Sequence, residues 1–392
     1  MEPGFNLYST ILLMGAAHGL FLALALLNAR GGNVTAHRFL AALTLVFVAD
    51  LIDSFFLQVN YHAAAIWSSG VSESLNFLYG PLTYFYICVL TKSGVYRLTG
   101  KRWLHFLPFA ISYLLLLPYF LLDADLKTEL LYGDVDIVTP ELALVVLGFD
   151  IATLASILLI GIYFTLGIRR LHRHSRDIRE QFSYTERINL NWMRNLLIGL
   201  GVIYVVYLVA IFYSESLGFE DEIINLLMIL VVIFIYTMGY LGLHQPTIFS
   251  QQNDKQDEEP KVNEADETEI KKYRKSALDS EMTEILLSEL KSHMVKKKTY
   301  LDNTLTLPQL SRQLDIPHHY LSQVINERLN QNFFDFINRY RVEEAKQQLI
   351  HPEQAGKNIL AIALDSGFNS KSAFYTAFKK HAGMTPTQFK HS

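Results

Sequence analysis

The stretch TLPQLSRQLDIPHHYLSQVINERL, Thr306–Leu329, decides how the rest of this chain is read. Thr306 and Gln309 stand three apart, the spacing of a capping box in which each side chain satisfies the other residue's free amide. Leu307, Leu310 and Leu314 then follow at helical spacing. Asp315-Ile316-Pro317 breaks that helix. Proline suits the first turn of the next one, whose apolar positions are Leu321, Val324 and Ile325. Two short helices around a tight turn make a helix-turn-helix, with the second helix free to lie in a major groove.

Downstream, ILAIALDSGFNSKSAFYTAFKKHA (Ile359–Ala382) repeats the pattern. Ile359, Ile362 and Ala363 begin a helix, and Gly367 ends it where a left-handed residue is wanted. Ser370 caps a second helix bearing Phe374 and Phe378. Between the units a longer helix is expected over about 334–349, with Phe336, Ile337, Tyr340, Ala345 and Leu349 buried. A rigid connector can present both second helices to successive major-groove openings, about 34 Å apart. Upstream, Met282, Ile285, Leu286, Leu290 and Met294 mark the apolar face of another helix, ending in Lys296-Lys297-Lys298.

These residues resemble a known family. Gly367-Phe368-Asn369-Ser370, Phe374, Phe378-Lys379-Lys380 and Gly383-Met384-Thr385-Pro386 look like the C-terminal signature of AraC/XylS-type transcription regulators. Tyr340-Arg341 and Ala345 through Leu349 are similar to that family's connector pattern. The resemblance covers about Leu301 to Phe389, under a quarter of the chain. It departs from the family at Ser311, Asp315 and Asn330, where Ala, Gly and Gly are common. Serine is small and asparagine tolerates the left-handed region, so the fold is expected to survive. Carried over by position, the first reading helix offers His319, Ser322, Gln323 and Asn326 to base edges, and the second offers Lys371, Ser372 and Thr376. Arg341, Lys379 and Lys380 are candidates for phosphate contact or support, which positions a protein without specifying sequence.

Residues 277–392 hold 14 Lys and Arg against 12 Asp and Glu, net +2. That is modest for a DNA binder, but no acid stands between Ser370 and Ser392, where Lys371, Lys379 and Lys380 lie. Residues 245–276 read as a linker. Asp254, Asp257, Glu258, Glu259, Glu264, Asp266, Glu267 and Glu269 face only Lys255 and Lys261 in its first part, the composition of a flexible tether. Such a tether is not expected to transmit a helix twist, so a change in dimerisation or in membrane-proximal arrangement is the expected route for a signal.

Residues 1–244 are of another kind, with 14 Lys and Arg and 18 Asp and Glu in about twice the length of the C-terminal part. Seven segments reach the roughly 20 apolar residues that cross a bilayer: Asn6 to Asn28, Arg38 to Gln58, Val71 to Leu90, Trp103 to Leu122, Glu141 to Ile168, Met193 to Tyr213 and Glu222 to His244. Met1-Glu2-Pro3 lacks the basic start of a cleavable signal, so the first segment is expected to stay. Arg30, Arg38, Lys92, Arg97, Lys101, Arg102, Arg169, Arg170, Arg173, Arg176, Arg179 and Arg187 fall in the first, third and fifth loops, against Lys127 alone in the others. That asymmetry puts the N-terminus outside and the C-terminal tail in the cytoplasm, as in a multi-pass protein of the bacterial inner membrane. Seven spans fused to such a tail resemble the membrane-bound AraC-type regulators of bacteria.

His18, Asp50, Asp53, Glu73 and Asp150 are ionisable groups within these segments, where they are costly and hence candidates for function. They are expected to line an outward cavity that takes a small cationic ligand or senses protons; the bland reading is that they only hydrogen-bond between helices. The lone Cys88 is a small apolar filler and can form no internal disulfide. HExxH and GxxxxGK[ST] motifs are absent, the expected spans contain no lysine for a Schiff base, and adjacent His318 and His319 cannot converge on one ion. No catalysis, cofactor or metal is expected.

The expected fold is therefore all-α: a seven-helix transmembrane bundle over 1–244, an acidic linker over 245–276 and a two-unit helix-turn-helix domain over 277–392. Its units are expected at about 306–329 and 359–382. The expected partners are promoter DNA, the lipid bilayer, a cationic ligand or proton and a second copy of the chain. The alternative is a transporter or receptor whose tail is a regulatory or docking module.

Overall fold

The computed structural model of the protein describes residues 5–29, 33–92, 96, 98–132, 139–186, 188–217, 220–243, 280–350 and 357–391. Among them it is all-helical, with one isolated antiparallel bridge between Phe182 and Thr306. The chain forms two compact units. The first comprises Met1–His172 and Leu190–Ser250, the second Arg173–Asn189 and Gln251–Ser392. This division differs from the sequence expectation in one respect: Arg173–Asn189, read as a loop of the apolar half, groups with the C-terminal residues. The linker expected at 245–276 lies outside the described residues, as do Arg30, Arg97 and Arg187 of the charge asymmetry.

In the first unit, α1 (Leu7–Asn28) opens on an Asn6 cap whose side chain accepts from Ser9 N at 2.8 Å. α2 (Val34–Gln58) and α3 (His62–Leu90) follow, then a 3-10 turn (Gly100–Phe106), α4 (Leu107–Leu115), α5 (Leu117–Leu121) and α6 (Ala124–Tyr132). The long α7 (Pro140–Gln181), α8 (Asn191–Leu217) and α9 (Glu220–Leu243) complete the apolar series. The segment expected to run unbroken from Trp103 to Leu122 is three pieces instead. Pro108 and Pro118 sit in the first turns of α4 and α5, where a missing amide proton is harmless, and the chain breaks at Leu116 between them. α7 extends well past the expected Ile168 into its arginine-rich end.

Leu40, Leu43, Phe85, Ile87, Met193 and Met238 belong to the buried core of this unit. Glycine lets its helices approach. A Cβ on Gly80 would stand 2.5 Å from the Tyr163 ring, closer than any real contact. Among the described residues three helices, α1, α2 and α7, are long and apolar enough to cross a membrane, and shorter apolar stretches occupy Asn191–Val206 and Met228–Leu243.

The second unit contains α10 (Ser280–Lys297), α11 (Leu307–Leu314), α12 (His318–Leu329), α13 (Phe333–Ile350), α14 (Ile359–Asp365), α15 (Lys371–Ala382) and α16 (Pro386–Lys390). It has two cores. Leu290, Met294, Leu310, Leu321, Ile325, Phe336 and Ile337 build the first, and Val342, Ala345, Ile362, Phe374 and Phe378 build the second. α13 contributes to both, which is what a connector must do. On α10 the buried line is Thr283, Leu287, Leu290 and Met294, while Met282 and Ile285 stay exposed, so its buried face is turned from the expected one.

Candidate nucleic-acid interface

Each helix-turn-helix contains a helix cap that the sequence specifies. Thr306 N donates to Gln309 Oε1 at 2.7 Å and Thr306 Oγ1 accepts from Gln309 N at 3.4 Å, closing the box at the start of α11. Asp315 then turns the chain with φ at +54°, and Ser311 Oγ donates to Ile316 O at 2.5 Å across the turn. α12 ends at Asn330, also left-handed at φ +50°. In the second unit Gly367 has φ +87°, and Ser370 Oγ accepts from Ala373 N at 3.1 Å to start α15. The three departures from the family pattern thus occupy a tight turn and a helix end, where a small or left-handed-tolerant residue is needed.

α12 buries Leu321, Val324 and Ile325. Its other side leaves His319 and Asn326 exposed and Ser322 and Gln323 half-buried. Asn326 Nδ2 donates to Ser322 Oγ at 3.3 Å, and Gln323 Nε2 donates to both oxygens of Glu327 at 3.1 Å. Glu327 escaped the sequence reading. It adds a carboxylate, an acceptor suited to cytosine N4, to the face that presents Gln323. Partial loss of solvent around the ring, and then the neighbouring His318, push the His319 imidazole below its ordinary value, which favours a neutral hydrogen-bonding ring over a cation near pH 7.

α15 buries Phe374, Ala377 and Phe378 and exposes Lys371, Ser372, Thr376, Lys379 and Lys380. Lys371 Nζ lies 5.5 Å from the Tyr375 ring centroid, and Thr376 Oγ1 donates to Ser372 O at 2.9 Å. Lys380 differs from its neighbour because its Nζ pairs with Asp335 Oδ1 on α13 at 2.7 Å. That contact makes Lys380 a tie between α15 and the connector.

Arg341 is 1% exposed. Its Nε donates to Tyr300 O at 2.7 Å, Nη2 to Asp302 O at 2.7 Å and Nη1 to Ser183 O at 3.0 Å. Burial pushes the guanidinium down to about 10, still charged at neutral pH. It is thus enclosed by the oxygens of its own unit. Ser183 and the Phe182 that precedes it were read only as part of an arginine-rich loop, and no periodicity marks them.

The ionisable groups of the apolar unit separate. Asp50 accepts from Tyr79 OH and from Ser72 Oγ at 2.8 Å, Asp53 from Ser68 Oγ at 2.5 Å and Ser69 Oγ at 3.2 Å, and Glu73 from Thr153 Oγ1 at 3.1 Å. These three acids share a hydroxyl-rich seam of α2 and α3. His18 stands apart, stacked on Tyr236 with centroids 3.9 Å apart in an apolar groove, and Asp150 is exposed on α7. The structure therefore does not bring the five expected groups into one cavity.

The family comparison bears on the second unit. Residues 310–392 match the family described as helix-turn-helix domain. An uncharacterized HTH-type transcriptional regulator of Staphylococcus aureus (strain COL) is 34% identical over 86 residues, 22% of this chain and 11% of that protein. The melibiose operon regulatory protein of Escherichia coli (strain K12) is 28% identical over 89 residues, 23% of this chain and 28% of that protein. The chain thus spans well under a third of the length of these relatives. A solved structure of a protein of unknown function from Listeria innocua is 30% identical over 27% of this chain and 94% of its own, with a TM-score of 0.24, too low to support an argument about fold. With capped helix pairs, left-handed turns and family match agreeing over the same residues, the C-terminal part of this chain is a helix-turn-helix domain of the AraC type.

Proposed function

We propose that the protein is a membrane-embedded transcription regulator, in which the second unit binds promoter DNA sequence-specifically and the apolar unit tunes that binding in response to a signal. The observation that carries the DNA-binding half is the pair α12 and α15, each with an exposed polar face and each packed on one connector, α13. His319, Ser322, Gln323, Asn326, Lys371, Ser372 and Thr376 are the proposed base-reading positions, and Lys379 a proposed phosphate contact. Helix-turn-helix domains of this class bind DNA and are not enzymes.

Membrane insertion is supported by three helices of sufficient length and apolarity, by two shorter apolar stretches and by the loop distribution of Lys and Arg. On this reading seven spans place the C-terminal unit in the cytoplasm of a bacterium. The seam of Asp50, Asp53 and Glu73 is the proposed sensing element, with a small cation or proton as its ligand and self-association as one of its outputs. The test is genome-wide occupancy of the full-length protein in membranes. Discrete promoter sites that persist at moderate salt support the regulator; diffuse or absent occupancy removes it and favours a transporter or receptor with a docking tail.

A further inference from the structure

The residues that surround Arg341 come from far apart in the chain. Besides its bonds to Tyr300 O, Asp302 O and Ser183 O, its Nη2 donates to Ser183 Oγ at 3.0 Å. Ser183 is itself 1% exposed, and its amide donates to Leu305 O at 3.1 Å beside the bridge between Phe182 and Thr306. One turn earlier in the chain, the Arg179 guanidinium lies 5.8 Å from the Phe334 ring centroid. All of these residues belong to the second unit.

We propose that residues 173–189, the end of α7 and the link from it towards α8, are an integral strap of the DNA-binding domain, and that seating of Ser183 on Arg341 is the contact through which the apolar unit sets DNA affinity. The second half rests on the regulator reading above. Three facts support it. First, the chain passes between the units at 172–173 and 189–190, on either side of this strap, as well as at 250–251. α7 ends at Gln181 and α8 begins at Asn191, so a shift of either helix end reaches Ser183 within a few residues, whereas the acidic run after 250 is a long detour.

Second, among the described residues Arg341 is hydrogen-bonded to carbonyl, amide and hydroxyl oxygens, and the Glu186 and Asp302 carboxylates act on it through their charge. Unseating Ser183 takes both its carbonyl and its hydroxyl oxygen from a buried cation, an expensive state. Third, the segment at 300–306 that Arg341 and Ser183 hold is the junction of both reading units. Thr306 caps α11, and Asn369 Nδ2, just before α15, donates to Asn303 O at 2.9 Å. Seated, the strap fixes both helix pairs; unseated, both loosen and DNA affinity falls.

The experiment uses the full chain in lipid nanodiscs and in cells, with Ser183→Pro, which removes both the amide and the hydroxyl. Ser183→Ala serves as the milder variant should the proline one misfold. In wild type, hydrogen exchange at 182–184 and 300–306 is expected to be slow, and in Ser183→Pro exchange at 300–306 is expected to rise by about tenfold or more. Promoter occupancy is expected to fall with it, while replacing 254–269 by Gly and Ser of equal length leaves occupancy unchanged. Wild-type exchange at 182–184 as fast as in an unstructured peptide overturns the strap. Slow exchange with occupancy that is unmoved or increased in the variants, or abolished by the 254–269 replacement alone, overturns the control. Should wild type occupy no discrete sites, the regulator reading fails while the exchange result still decides the strap.

Discussion

Gly367 lies so close to Tyr300 that a Cβ added to it would stand 2.7 Å from the Tyr300 carbonyl oxygen. The same carbonyl accepts from Arg341 Nε, so the turn of the second helix-turn-helix and the connector share one backbone group.

Gly367→Ala is penalised twice, by the contact and by φ +87°, and is expected to destabilise the second unit by about 2–4 kcal/mol. Denaturant titration followed by hydrogen exchange in α14 and α15 measures it. A loss below about 0.5 kcal/mol, the ordinary surface value, contradicts the close approach.

Asp315 adopts φ +54° with an L side chain, which costs about 1 kcal/mol that glycine avoids. Asp315→Gly is expected to raise the melting midpoint of the second unit, because relief of the left-handed strain outweighs the freedom that glycine adds to the unfolded chain. A lowered midpoint would mean that the carboxylate contributes a contact worth more than the strain.

Lys379 and Lys380 are adjacent and exposed, but Lys380 is bound to Asp335. Lys379→Ala is expected to weaken DNA binding evenly across sequences and reduce the salt slope by about one. Lys380→Ala is expected to change stability by about 0–1 kcal/mol and the slope less. Equal slopes for both variants would count against the assignment.

Lys371→Ala is expected to cost about 1–3 kcal/mol of affinity at the best sites and to relax preference at one base position. Binding selection from a randomised duplex pool reads this. A uniform loss across all sequences would reassign Lys371 to the phosphates.

Burial works against the charge of Glu344, yet hydrogen bonds from Lys298 and Tyr300 outweigh it and hold the carboxyl below its usual value. A depressed carboxyl stabilises the folded state above the unfolded-state value, about 4.3, and loses that contribution as pH falls through its folded one. Acid titration of the second unit should therefore show a loss below about pH 4 that Glu344→Gln lacks. Identical acid profiles would remove Glu344 from the account.

The sequence by itself determined the helix-turn-helix pairs. Capping boxes, short helical periods and left-handed turn positions are local, set by residues a few places apart, as with Thr306 and Gln309 or Ser370 and Ala373. Apolarity was likewise legible, because a run of side chains meets lipid or core whatever its partners. Which groups meet was not. His18 and Asp150 belong by composition with Asp50, Asp53 and Glu73, yet their helix faces point elsewhere, a matter of packing angle that no spacing records. For Arg341 the sequence left phosphate contact and support both open, and it gave no sign that Ser183, far away in the chain, closes over it. Only the tertiary structure could decide that, because the energy of a buried guanidinium depends on acceptors supplied by distant backbone, and backbone oxygens are the same in every residue.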